Sequence, residues 1–172
     1  MTPPAAPRDS IDRFLPQVGE TFPTLDLEVE AAVDRVHVLH KHLHQMIETG
    51  AARFGLRAGE FEVLTKLRLA EEGRLSPGEL SQRTLLSTGA MTNRLNNLEE
   101  AGLVTRERDP GDRRGVLVVL TQQGRDKIDV VVDAMGAQER AILSALTPDE
   151  QRKLNGLLRK LLVAVEADKR PS

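Results

Sequence analysis

Apolar residues recur along this chain at helical rather than strand spacing for most of its length. After a Pro- and Ala-rich start, 1–8, expected to be a disordered tail, the pattern predicts a short helix over 9–19. Beyond Phe22 and Pro23 it predicts a long helix over 27–54, with Asp26 as N-cap and Gly55 as its stop. Val29, Val36, Leu43 and Ile47 form one stripe on that helix. A helix over 58–72 follows, with Phe61, Leu64, Leu67 and Arg68 on one side and Gly73 closing it. LSPGELSQRTLL then opens another: Ser76 is its N-cap, Pro77 its first helical residue and Glu79 the return half of a capping box. The next helix begins at Ser87 or Thr88 and runs to Ala101, where Gly102 stops it. Only afterwards does alternation appear, in two short strands, 103–107 and 116–120, around the turn RDPGDRRG. Thr121 caps a helix reaching Leu143. Thr147 and Pro148 start the last one, whose apolar face carries Leu154, Leu157, Leu158, Leu161 and Val165.

Composition narrows this picture. With four Phe and neither Trp nor Tyr, the core must be built from Leu, Val, Ala and Ile, which suits helices packed on helices. The absence of cysteine excludes disulfides, thiolate metal sites and cysteine nucleophiles. No apolar run approaches the roughly 20 residues that span a bilayer, and the first residues lack a hydrophobic signal core. The chain is therefore expected to be cytoplasmic, with no membrane partner. No nucleophile–base constellation, phosphate-cradling glycine loop or HExxH motif is present, so neither an enzyme nor a cofactor is expected. The net charge of −2 does not advertise nucleic-acid binding, so such a reading must rest on local features.

Those features lie between Ser76 and Thr121. Helix, turn, helix and two-stranded wing in succession make a winged helix-turn-helix, whose second helix enters the major groove of double-stranded DNA while the first crosses the backbone. On a 3.6-residue wheel Met91, Leu95 and Leu98 face the protein, and Gly89, Thr92, Asn93, Asn96 and Asn97 fall on the opposite side. Asn pairs bidentately with adenine and Thr touches the thymine methyl, so that face suits base edges. Ser87 and Thr88 stand at the positive helix N-terminus, which favours phosphate, and Ser76 opens the backbone-crossing helix. Arg113 and Arg114 at the hairpin tip suit a minor groove, with Asp112 spaced to hold Arg114. The same wheel puts Arg94 at the edge of the apolar stripe, pointing to the protein body. There it can meet an anionic ligand or form a structural salt bridge with Glu62 or another acid.

The run LSPGELSQRTLLSTGAMTNRLNNLEEAGLVTRERDPGDRRGVLVVLTQQG, and within it the recognition helix, LExxGLV and the DxR wing ending in LT, resembles the MarR family of bacterial transcription regulators. The resemblance implies a mainly α fold with a small β wing. It places N-terminal dimerisation helices over 9–54, the winged helix-turn-helix over 55–121 and C-terminal dimerisation helices over 122–172. It also implies a homodimeric repressor on a palindromic operator, released by a small molecule. LDLEVEAAVDRVHVLHKHL and LRAGEFEVLTKLRLA, with the extra N-terminal helix, are similar to the urate-responsive and PecS-like subgroup. There the ligand site holds a Trp, an acid and two arginines. Glu62 matches the acid, in place of the more usual Asp. Arg94 and Arg106 match the arginines, and Val18 stands where the Trp would be. The departures argue against urate and leave a cleft for some organic anion.

His37, His40 and His44 share one face of the long helix, a spacing that fits a metal site, a pH sensor in a symmetric interface, or simply the rim of that interface. With no Cys and few acids nearby, no metal is expected. A winged helix used only for protein–protein contact is the alternative from another class. It leaves the Asn face and Arg113/Arg114 without a task.

Overall fold

The computed structural model of the chain describes residues 8–84, 87–112 and 115–168. Its elements run α1 (Ser10–Thr21), α2 (Leu27–Ala52), α3 (Ala58–Leu69), a 3₁₀ turn (Glu71–Gly73), β1 (Arg74–Leu75), α4 (Pro77–Thr84), α5 (Thr88–Glu100), β2 (Val104–Arg108), β3 (Val116–Leu120), α6 (Gln122–Leu143) and α7 (Pro148–Asp168). The fold is mainly α with a small antiparallel sheet, and the chain divides into two units, Met1–Thr49 and Gly50–Ser172.

In the first unit, Asp9 caps α1 by a reciprocal pair of bonds. Its carboxylate accepts from the Asp12 N–H at 2.9 Å while the Asp12 carboxylate accepts from the Asp9 N–H at 3.1 Å. Arg35 of α2 clasps both acids, at 2.8 Å to Asp9 and 2.5 Å to Asp12. The guanidinium, with the Asp12 N–H, holds the Asp9 carboxyl down at about 2. Asp26 opens α2, accepting from the N–H groups of Glu28 and Val29. Along α2 the apolar positions Val29, Val33, Val36, Leu39 and Leu43 are all exposed.

The second unit holds the main core. Leu64 and Leu67 of α3, Leu80 of α4, Met91, Leu95 and Leu98 of α5, Val104 and Val118 of the sheet, and Ile128 and Val131 of α6 are fully buried in one cluster. Strand order is β1-β3-β2, with Arg108 opposite Val116 at the wing end and Val104 opposite Leu120 at its root. Two features depart from the sequence expectation. The helix predicted to Glu72 ends at Leu69: Ala70 is extended, and Glu72 and Gly73 take left-handed φ values of 54° and 70°. That reversal frees Arg74 and Leu75 to pair with Val119 and Val118, so the wing is a three-stranded sheet rather than a lone hairpin. A two-residue strand is too short to show an alternation, which is why the pattern missed it.

At the root of the wing, Thr121 serves two elements. Its hydroxyl lies 2.8 Å from the Gly102 carbonyl and 3.1 Å from that of Leu103, while accepting the Gly124 N–H at 2.9 Å as N-cap of α6. Gly124 packs so closely on the Leu103 carbonyl that a Cβ there would overlap it. Among the described residues, no helix is long and apolar enough to cross a membrane.

Candidate nucleic-acid interface

The recognition helix starts where its first turn can be satisfied. Ser87 is its N-cap, with extended backbone and a side chain accepting from the Ala90 N–H at 3.4 Å. Upstream, Ser76 and Glu79 form the capping box of α4: the Ser76 N–H and hydroxyl both reach the Glu79 carboxylate at 2.8 Å. These bonds hold the Glu79 carboxyl below its ordinary value. The Ser76 side chain is thus committed to its own helix. Helix α5 packs on α3, α4 and β2 through its buried Met91, Leu95 and Leu98, which dictates what its other side exposes.

Gly89, Thr92, Asn93 and Asn96 are exposed. Asn97 is not part of that face. It is half-buried and its amide NH₂ donates to Glu60 Oε1 of α3 at 3.1 Å, which corrects the outward position that the wheel gave it. The wheel resolves direction about the helix axis but not where a neighbouring helix crosses. Asn97 sits one residue before the buried Leu98, where the first turn of α3 passes. Glu60, unnoticed in the sequence, is only 6 % exposed. Its other oxygen accepts the Arg57 N–H at 2.9 Å, capping α3. Arg57 is not a residue type that signals a capping box, so sequence spacing alone did not reveal this acid.

Arg106 lies on β2, on the recognition side. It forms an ion pair with Glu99 and donates to Asn96 Oδ1 at 2.7 Å, so the sheet root and the C-terminal half of α5 are tied together. Arg94 is half-buried against the first turn of α3, where a Cβ at Gly59 would overlap its guanidinium. Glu62 is half-buried, and no ion pair joins it to Arg94 among the described residues. A cleft of about 530 Å³ nearby is lined by Arg57, Glu60, Asn97, Gln123 and Lys127 among others, but by neither Glu62 nor Arg94. Glu62, Arg94 and Arg106 stand on α3, α5 and β2. Val18 is half-buried on α1, in the first unit.

Asp109 N–H donates to the Gly115 carbonyl at 3.1 Å, and the Asp109 carboxylate accepts the Gly111 N–H at 2.7 Å. Arg113, Arg114 and the side chain of Thr88 lie outside the described residues. On α2, His37, His40 and His44 are exposed. The His40 and His44 rings stack with centroids 6.1 Å apart, and His44 Nε2 lies 3.4 Å from Glu48. No group of three His, Cys, Asp or Glu side chains among the described residues is arranged to hold a metal.

Comparison with known proteins places this geometry. A MarR family model matches residues 54–115. The chain is 30% identical over 137 residues to the transcriptional regulator PecS of Dickeya dadantii, covering 79% of this chain and 82% of that one. Its fold is similar to that of a mutant MarR from Escherichia coli complexed with operator DNA, at a TM-score of 0.66 and 27% identity, over 84% of this chain and 97% of that one. It is also similar to Sco3205, a MarR family regulator from Streptomyces coelicolor in complex with DNA, at a TM-score of 0.72 and 24% identity, over 86% and 92%.

Removing the buried acid beneath α5 tests whether it holds the helix. Glu60→Ala leaves the Arg57 N–H and the Asn97 amide without their acceptor, and is expected to cost about 1–3 kcal/mol of stability in denaturant melts. A variant as stable as the parent would show that water replaces both bonds.

Proposed function

The chain belongs to the MarR family of transcriptional regulators, and from that premise we propose that it binds a palindromic operator as a homodimer, represses from it, and is released by a small organic anion. The observation that carries the DNA reading is the exposed polar row Thr92, Asn93 and Asn96 on a helix whose opposite side is fully buried. An amide-rich face with no apolar component has bases, not a protein core, as its natural complement. Arg113 and Arg114, next to Asp112 in sequence, are the residues we assign to the minor groove at the wing tip, and Ser87 with the N-terminal turn of α5 to phosphate.

The homodimer is supported by apolar surface that each unit leaves uncovered. Helix α7 is 21 residues long without one buried residue, yet carries Leu157, Leu158, Leu161, Leu162 and Val165. Contiguous exposed apolar surface of this kind marks an interaction site. A two-fold dimer presents two recognition helices, and the operator mirrors that symmetry. For the anion, Arg57, Lys127 and Gln123 offer donors in a cleft that Asn97 of α5 also lines, which supports coupling between ligand and recognition helix. Arg94, one turn before Asn97, is the inward cation of the same helix.

Three measurements test these parts. In binding assays on a selected operator, Asn93→Ala is expected to relax preference at one base position by about 1–3 kcal/mol, whereas Arg114→Ala weakens all sequences alike and flattens the salt dependence. Equal losses at every position for Asn93→Ala would contradict its assignment. Light scattering is expected to find a dimer that Leu158→Asp converts to monomer; an unchanged mass would move the interface elsewhere. A panel of small aromatic carboxylates, screened for operator release, is expected to yield an active anion to which Arg94→Ala no longer responds while still binding DNA. Release preserved in that variant would exclude Arg94 from reception.

A further inference from the structure

The bond between Arg106 and Asn96 bears on which base the recognition helix prefers. A guanidinium has donors only, so the atom of the Asn96 amide that faces it at 2.7 Å must be the oxygen. The guanidinium is itself anchored, since its other terminal nitrogen is paired with Glu99, one turn along α5 from Asn96. The side chains of Arg106 and Glu99 are 32% and 38% exposed, and the guanidinium is held from two sides, by Glu99 and by the Asn96 oxygen. Asn96 is exposed, as Arg106 is. Its oxygen is turned back toward the wing, and its NH₂ is turned away from Arg106.

Bidentate recognition of adenine requires both halves of an amide on one base edge: the oxygen accepts from N6 and the NH₂ donates to N7. Guanine presents two acceptors in the major groove, N7 and O6, and needs a donor alone, whereas cytosine presents the donor N4. We infer that Arg106 is a specificity-determining residue: by holding the Asn96 oxygen turned toward the wing it leaves the NH₂ as the half of the amide that meets a base, so that the operator position beneath it is read as guanine in preference to adenine. This rests on the proposed reading of the outer face of α5 as the base-contacting surface. It gives Arg106 a role through Asn96 rather than in a ligand site.

The test is selection from a randomised double-stranded DNA library by the purified full chain, at one fixed salt concentration, followed by sequencing. The parent protein is expected to select guanine at one position per half-site that Asn96→Ala no longer specifies. Arg106→Met frees the amide and is expected to raise adenine over guanine at that same position by about tenfold, with the rest of the motif unchanged. Adenine at that position in the parent, or an Arg106→Met variant that weakens every sequence equally with the motif intact, overturns the inference. Should Arg106→Met fail to fold, Glu99→Gln removes the anchor of the guanidinium and is expected to shift the same position the same way by a smaller factor; an unmoved motif there overturns the inference as well. A motif that Asn96→Ala leaves identical everywhere instead sinks the reading of this face as base-contacting. A position set by Asn96 but indifferent to Arg106 sinks only the present proposal.

Discussion

Everything that this protein offers to DNA depends on the burial of Met91, Leu95 and Leu98 along one side of α5. Full burial of such side chains is worth roughly 1.5–3 kcal/mol each relative to exposure, so the three together outweigh any single polar contact on the helix. The stripe therefore sets the rotation of α5 about its axis, and the exposed face follows from what remains. Because the stripe packs on α3, α4 and β2, in a cluster that includes Leu64 and Leu67 of α3 and Leu80 of α4, the recognition helix is oriented by two other helices and the sheet at once. The polar residues around it refine that orientation; they do not create it.

The refinement is electrostatic and inward. Arg106 is spent on Glu99 and Asn96, and Arg68 on Asp129, whose carboxyl it holds below its ordinary value. Arg125 donates to the Glu72 carbonyl at the left-handed turn before β1. These three arginines are thus engaged within the second unit, in a chain whose net charge is −2. Affinity for a polyanion then has to come from positioned contacts and from duplication in a dimer rather than from bulk attraction.

The elements with a strong local signal were legible in the sequence. Caps at Ser76, Ser87 and Thr121, the stop at Gly102 and the inward stripe of α5 all follow from residue type and period, because backbone capping and apolar periodicity are local physics. What escaped depends on crossings. β1 exists only because β3 lies beside it. Glu60 reads as one more helical acid until Asn97 arrives from another helix, and Asn97 reads as a surface amide until α3 covers it. The bond from Arg106 to Asn96 likewise needs the pairing of β2 with β3 and its packing on α5. A helical wheel sees one cylinder at a time, and these contacts belong to two.

The junction at Thr121 has a mechanical meaning. One hydroxyl joins the carbonyls behind α5 to the first turn of α6, and Gly124 lies flush against the Leu103 carbonyl with no room for a methyl group between them. A joint packed this closely has no slack. The first turn of α6 and the base of the wing are thus fastened to each other, and a side chain at position 124 would displace both together.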